Sequence, residues 1–328
     1  MQAGNDSADR PPPASLPRAT PVVHICITTF RRPKGLGRLL ESLANLRFGE
    51  SGPPEARIVV VDNDAQQSAS PVCEAARSRL PWSLSYVVEP SRGIAQARNA
   101  AVRSIMEQGD FIAFIDDDEV PDVWWLDELL RVQRASAADV VTGPVFPYFE
   151  GTVPAYVLQG RFFDPPVQAT GTRLDRAYTG NVLARSRVFR EMPVLFDERL
   201  GMTGGEDVHF FRRVARAGFI IVWAADAKID EWVPPTRTSV AYILKRAFRT
   251  GTTIALCERE FTDSRLRRAS LGFRALGTIA KAILGFPLSA IDGRHGLVQA
   301  LRTVVLGLGY FAGAVGVRYE EYRTVHGS

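Results

Sequence analysis

The sequence predicts an α/β protein with a mostly parallel central sheet, followed by a helical C-terminal region. Three observations carry this. Short apolar runs at residues 22–29, 56–62, 84–88 and 111–115 alternate with segments of helical periodicity, the pattern of right-handed βαβ units. The run at 56–62 contains Ile58, Val59, Val60 and Val61, as expected of a central parallel strand covered on both faces. Beyond residue 239 such runs give way to long apolar stretches broken by basic residues.

Residues 1–21 are polar and rich in proline (Pro11, Pro12, Pro13, Pro17, Pro21) and lack the apolar stretch of a secretory signal, so a disordered lead-in is expected. After the strand at 22–29, Pro33 opens a helix with Leu36, Leu39, Leu40 and Leu43 in one stripe. The strand at 56–62 leads to a helix over 72–80 and a strand at 84–88. A helix over 93–107 follows, with Ile94, Ala97, Ala101 and Ile105 on one side, and then the strand at 111–115. After Trp125 the pattern loosens. Strands are expected at 139–144, 179–184 and 219–224, with a loop-rich stretch at 147–174. A helix over 205–218 presents Val208, Phe211, Val214 and Ala215 on one face and stops at Gly218. Residues 22–235 thus read as one α/β domain, and 236–328 as a basic helical region.

With 328 residues, 46% hydrophobic and 23% charged, the chain can bury one large core plus an appendage. Its three cysteines (Cys26, Cys73, Cys257) show neither a disulfide framework nor zinc spacing, which fits a reducing compartment. Residues 236–328 carry 14 Lys/Arg against 6 Asp/Glu, a net of +8, while the preceding residues carry 26 against 30, a net of −4. A basic tail on an acidic body suggests an anionic partner. No basic motif interleaved with aromatics is present, so nucleic acid is not expected and inner-leaflet lipid is favoured. The most apolar stretches, 271–291 and 297–317, are interrupted by Arg274, Lys281 and Arg302. The uncharged run 303–317 is shorter than the roughly 20 residues of a spanning helix, which points to an interfacial or re-entrant helical pair. A helical cap on the core is the alternative.

The chemistry concentrates at Asp116-Asp117-Asp118-Glu119, directly after an apolar strand. In parallel α/β sheets, ligands bind at the carboxyl ends of strands. Adjacent carboxylates repel unless solvated or neutralised, and Asp116 and Asp118 project to the same side of an extended chain. A hard divalent ion, Mg²⁺ or Mn²⁺, would relieve that repulsion and keep places for phosphate oxygens. The competing role is a solvated acidic loop capping the helix expected near Pro121.

Further motifs resemble family 2 inverting glycosyltransferases of the GT-A fold over about residues 22–235. They are Thr28-Thr29-Phe30-Arg31-Arg32, with Arg31 where Asn is common; Val61-Asp62-Asn63-Asp64, with Asn63 where many members carry a second acid; Glu89 to Asn99 with Arg98; and Gly204-Gly205-Glu206-Asp207. The resemblance implies a UDP-sugar donor bound by Thr28, Phe30, Arg31, Asp62, Asn63, Asp64, Arg98, Asp116 and Asp117. It implies a divalent metal at Asp118 and Asp116, and catalysis by Asp207, the general base, with Glu206 beside it. Helix capping is the alternative role for Glu206-Asp207. A finer likeness to bacterial exopolysaccharide glucosyltransferases of the succinoglycan type rests on these motifs and on Glu231-Trp232-Val233-Pro234 with Arg237, Lys245, Arg246 and Arg249. Asp230 stands where such enzymes often have a His that completes the metal site. The likeness implies glucose transfer to a polyprenyl-diphosphate-linked glycan at the cytoplasmic face of the inner membrane, by a peripheral or monotopic protein. A nucleotidyltransferase would need a glycine-rich loop after the first strand, and residues 28–34 lack glycine. A catalytically degenerate sugar-nucleotide-binding protein is the non-enzyme alternative. Trp124, Trp125 and His209 are read first as packing residues; for Phe30 and Asn181, ligand contact and structural roles stand level.

Overall fold

The computed structural model describes residues 20–49, 52–261 and 265–317; the expected lead-in up to residue 19 and the chain beyond 317 lie outside the described residues. The fold is organised about β1 (Val22–Thr29), which pairs in parallel with β2 (Glu55–Asp62) and β4 (Phe111–Phe114). Strand β3 (Ser83–Val88) extends the sheet beyond β2. With β6 (Val140–Thr142), β8 (Arg173–Leu174), β9 (Val182–Arg185) and β10 (Ile221–Trp223), the order is β3-β2-β1-β4-β9-β6-β10-β8. β9 runs antiparallel between β4 and β6, because the chain re-enters the sheet after the long excursion that precedes it.

Alternation along β1 sorts the core into two layers. Val23, Ile25 and Ile27 pack with α1 (Pro33–Leu43), α2 (Ser70–Arg77) and α4 (Trp125–Ser136). Cys26 faces the other way, toward α3 (Ile94–Ile105), α6 (Ser186–Glu191) and α7 (Glu206–Arg216). In that second layer Phe114 of β4 meets Phe196 edge-on at 5.8 Å, Phe196 meets Phe210 of α7 at 4.7 Å, and Phe189 stacks on Phe210 at 5.4 Å. The aromatic cluster therefore ties the strand that ends in the acids to the helix that begins with Glu206-Asp207. All three cysteines are buried free thiols.

A second sheet, β5 (Glu119–Pro121), β11 (Ile229–Val233) and β7 (Val145–Phe149), has the order β5-β11-β7 and was not foreseen. Two of its strands contain prolines, Pro121 and Pro147, which suppress the strand signal. The stretch expected to be loop at 147–174 also holds a short helix, α5 (Ala155–Gly160).

Three helices complete the chain: α8 (Val240–Glu260), α9 (Arg265–Ile291) and α10 (Arg294–Ala314). Small residues let α8 and α10 meet backbone to backbone. Gly251 of α8 faces Leu306 and Tyr310, Gly309 of α10 faces the Phe248 carbonyl, and a Cβ on Gly313 would lie 2.5 Å from the Thr252 carbonyl. α10 thus caps α8, while α9 presents apolar side chains outward: Phe273, Leu284 and Ile291 are 75%, 81% and 80% exposed. Among the described residues one helix, α10, is long and apolar enough to cross a membrane by length and composition.

Gly309→Ala should force the two backbones apart, costing about 1–3 kcal/mol through overpacking, read as a lower urea midpoint at unchanged slope. Gly277→Ala on α9, whose added Cβ meets nothing within 4 Å, should be neutral or stabilising by up to ~1 kcal/mol.

Candidate active site

The parallel strands β1, β2 and β4 end at one edge, and the chemistry-bearing residues leave the sheet there. Beyond β4 the acids divide by alternation. Asp117 turns into the body, where its carboxylate accepts from Thr29 Oγ1 at 2.7 Å and Arg32 Nη1 at 2.9 Å. Asp116 and Asp118 face the cleft, as their spacing predicted, with side chains 34% and 20% exposed. The first turn of α1 lies against this loop, and Gly35 is required there because a Cβ would sit 2.5 Å from the Asp117 carbonyl oxygen. Arginines supply the countercharge. Asp118 Oδ2 meets Arg32 at 3.0 Å and Arg237 at 3.2 Å, and Arg237 also reaches Glu231 at 2.9 Å. Burial still pushes Asp116 up, takes Asp117 to about 6 and lifts Glu119 well above the usual range, outweighing the arginines beside the two aspartates.

The motif after β2 is spent on its own turn. Asp62 is fully buried and accepts from the N–H groups of Asp64 (3.0 Å) and Ala69 (2.8 Å) and from the Tyr86 hydroxyl (2.8 Å). Asn63 donates to the carbonyls of Glu89 and Ser91 at 2.8 and 2.9 Å and accepts from Gly93 N–H at 2.7 Å, stapling the turn into α3. Asp64 binds Arg31 through two bonds of 3.0 and 3.3 Å. Arg31 has φ +55°, in the left-handed region that Asn enters more readily than Arg, which accounts physically for Asn being common at that position. Phe30 lies under the guanidinium groups of Arg31 (5.1 Å) and Arg92 (4.6 Å).

Arg98 of α3 joins the acid loop to α7. Its buried guanidinium bonds Asp116 Oδ1 at 3.0 Å and, very closely, Glu206 Oε1. The neighbouring Asn99 clamps Phe196 through both backbone groups, at 2.9 and 3.0 Å. Glu206 is buried, its Oε2 has no hydrogen-bond partner among the described residues, and burial takes its pKa to about 7 despite Arg98. Asp207, one residue on, reaches the cleft; its Oδ2 accepts from Thr179 N–H at 3.4 Å.

Glu231, not Asp230, faces the site. β11 alternates, so Glu231 points toward Arg237 and Asp118 while Asp230 is exposed on the other face, which removes Asp230 as the carboxylate nearest the acid loop. Trp125 is fully buried and donates its Nε1–H to Asn181 at 2.8 Å; Asn181 in turn donates to the Pro144 and Ala227 carbonyls, so both are structural. Trp124 is 42% exposed. His209 stacks on Phe261 and bonds Glu260 at 2.9 Å, clasping α7 to the end of α8. With Asp197 it forms the one trio of metal-ligand type found among the described residues, but Asp197 is held by Arg199 at 2.6–3.0 Å.

Two cavities open on this edge. One, of about 250 Å³, is lined by Thr28, Phe30, Asn63 and Arg92 among others; the second, of about 590 Å³, contains Glu206, Asp207 and Tyr178. They share a seam of Arg98, Asp116, Asp118, Glu231, Arg246 and Arg249. Sequence reasoning passed over Arg32 and Glu231 as site residues. The need of an acidic run for counterions and the period of β11 were the signals for them.

Removing Arg98 leaves Asp116 and Glu206 without their cation, so Arg98→Met should cost about 3–5 kcal/mol, and part of that should return in Arg98→Met/Glu206→Gln. Glu206 holds its proton more tightly folded than unfolded. Its contribution to stability is therefore present below its ordinary pKa and is lost as pH rises through about 7. The melting temperature without added divalent ions should fall between pH 5 and 8, and Glu206→Gln should flatten that slope.

The Glycosyl transferase family 2 profile matches residues 24–193, more than half of the chain. The chain is 35% identical to the succinoglycan biosynthesis protein ExoM of Rhizobium meliloti, over 94% of this chain and 97% of that protein. It is 22% identical to the glycosyltransferase AglE of Haloferax volcanii, over 70% of this chain and 72% of that one. Among solved structures, the mannosyltransferase PcManGT of Pyrobaculum calidifontis, in complex with GDP-Man and Mn²⁺, superposes with a TM-score of 0.61 at 16% identity, over 92% of this chain and 88% of that one. TarS 1–349 of S. aureus in complex with UDP-GlcNAc gives 0.52 at 16% identity, over 91% and 93%. The expected GT-A fold is the observed one, and the chain is a glycosyltransferase that belongs to glycosyl transferase family 2.

Proposed function

We propose that this glycosyltransferase moves a hexose, glucose from UDP-glucose, onto a polyprenyl-diphosphate-linked oligosaccharide in exopolysaccharide or other surface-glycan synthesis. The observation that carries the reading is that Asp116 and Asp118, on the seam between the two cavities, line the larger one together with Glu206 and Asp207. The identity to a succinoglycan biosynthesis protein supports the pathway class, and a fold neighbour bound to UDP-GlcNAc supports a UDP-sugar.

In this reading the nucleotide occupies the smaller cavity, with its base near Phe30 and Asn63 and its ribose and phosphates near Thr28, Arg98 and Asp116. Asp62, Asp64, Arg31 and Asp117 serve the donor indirectly, by holding the walls. The acceptor hydroxyl enters the larger cavity beside Asp207. That carboxylate accepts its proton as the oxygen attacks the anomeric carbon, so an α-linked donor yields a β-linked product. Arg98 holds Glu206 and Asp116 in register on either side of the transferred sugar.

The residues present fit a Mg²⁺ or Mn²⁺ ion. Asp118 and Asp116 offer two cleft-facing carboxylates, and among the described residues no third ligand group clusters with them. This is the sparse oxygen set of an ion that takes its remaining ligands from phosphate and water. Such an ion would stabilise the negative charge of the departing diphosphate. Membrane association is supported by the outward apolar face of α9 and the +8 charge of residues 236–328.

UDP release against a donor panel tests the reading directly, with UDP-glucose expected to lead. Asp207→Asn should lower transfer by about 10²–10⁴-fold while leaving UDP affinity near wild type; wild-type turnover would remove the base role. Asp118→Ala should weaken Mn²⁺-dependent UDP binding by calorimetry, and an unchanged titration would remove the metal role. Full-length protein should sediment with anionic vesicles, and Phe273→Asp/Leu284→Asp should reduce that binding at least tenfold.

A further inference from the structure

The larger cavity does not end at Asp207. It continues between α8 and α10, where Arg246 and Arg302 line the same space from different helices. Neither makes a salt bridge among the described residues. Arg302 donates to Gln299 Oε1 at 3.3 Å, and Arg246 lies over the ring of Phe163 at 5.2 Å. Burial and the charge of Arg246 lower the pKa of Arg302, so the two guanidinium groups act on each other across this end of the cavity, while Arg246 also acts on the Glu231 carboxyl at the seam.

The placement is built. Arg302, Leu306, Gly309 and Gly313 follow the spacing of one α10 face, and the two glycines press that face onto the backbone of α8. On α8, Thr250 and Thr253 lie one and two turns from Arg246 in the same cavity, and Thr253 packs against Gly205, next to Glu206-Asp207. One rigid helix therefore runs from the general-base end of the cavity to the arginine end. Ile243, Ala247, Leu306 and Phe162 give the arginine end an apolar wall. A guanidinium pair beside apolar side chains suits an anion of high charge that carries a hydrocarbon tail, and its fork geometry matches phosphate oxygens.

We infer that Arg302 of α10 and Arg246 of α8 form a second diphosphate subsite, which adjoins the donor cavity at Arg246 and holds the diphosphate of a lipid-linked acceptor while its sugar end reaches Asp207. This rests on the glycosyltransfer reading above and adds the acceptor-anchoring residues to it. The C-terminal helices are then a wall of the acceptor site as well as a candidate membrane face.

The test is a calorimetric titration of the full chain with farnesyl diphosphate in the presence of Mg²⁺ and saturating UDP. Farnesyl diphosphate should bind alongside UDP. Arg302→Gln and Arg246→Gln should each weaken it about 10–100-fold, the range for losing a charged hydrogen bond, and Arg302→Lys should recover part of the loss. Inorganic pyrophosphate and farnesol should each bind more weakly than farnesyl diphosphate. UDP titration of Arg302→Gln, whose arginine lies outside the donor cavity, checks that this cavity is folded; failure of the wild type to bind UDP would sink the donor reading instead. Displacement of farnesyl diphosphate by UDP, no binding by the wild type, or unchanged affinity in Arg302→Gln would overturn the subsite. Equal affinity for pyrophosphate would overturn a lipid-linked source.

Discussion

The site depends on one buried guanidinium. Arg98 stands on α3 between two carboxylates that belong to different parts of the chain: Asp116 after β4, and Glu206 at the start of α7. Two acids brought this close in a buried setting repel, and their separation is set by what stands between them. An arginine fork fixes both at once and in a defined orientation, which a flexible ammonium group would not do. The layer behind it is equally firm. Asn99, the next residue, clamps Phe196, and the Phe114–Phe196–Phe210 contacts join the same two elements through the core. Polar and apolar layers thus enforce one spacing between the acid loop and the turn that carries Glu206-Asp207.

Around that centre the carboxylates are arranged in two classes. Asp62, Asp64 and Asp117 are consumed by hydrogen bonds and ion pairs that shape the cleft wall. Asp116, Asp118, Asp207 and Glu231 face the space itself. The arginines Arg32, Arg98 and Arg237 hold the acid loop in place through ion pairs of 2.9–3.2 Å. Tight packing of α10 on α8 extends this order beyond the family-matched segment, since α8 contributes Arg246 and Arg249 to the seam between the cavities.

What could be read in advance follows from physical signal strength. β1, β2 and β4 are buried on both faces, so their apolar runs are unmistakable, and the leucine stripe of α1 matched its buried face residue for residue. The acid loop was legible because adjacent carboxylates after an apolar strand repel unless they are solvated or neutralised; Arg98 and Glu206-Asp207 stood out through the family resemblance, since acids at a helix N-terminus are also ordinary caps. The small sheet was not legible, because strands of three to five residues, two of them containing proline, carry almost no pattern. The choice between Asp230 and Glu231 depended on the phase of a strand that had not been recognised. The standing of Asp62, Asn63 and Asp64 depended on side-chain hydrogen bonds to the turn at residues 89–93 and to Tyr86, long-range pairings that spacing along the chain does not encode.

Asn63 shows what such pairings imply for how this sequence can drift. An amide both gives and receives, and here it gives to Glu89 and Ser91 and receives from Gly93. The isosteric acid can only receive, so a one-step change to Asp would set a negative charge against two carbonyl oxygens in a nearly closed space. The dipeptide Asp62-Asn63 and the turn at 89–93 are therefore a single heritable unit split across two places in the chain. A lineage that exchanged Asn for Asp here would have to rebuild the distant turn in the same passage.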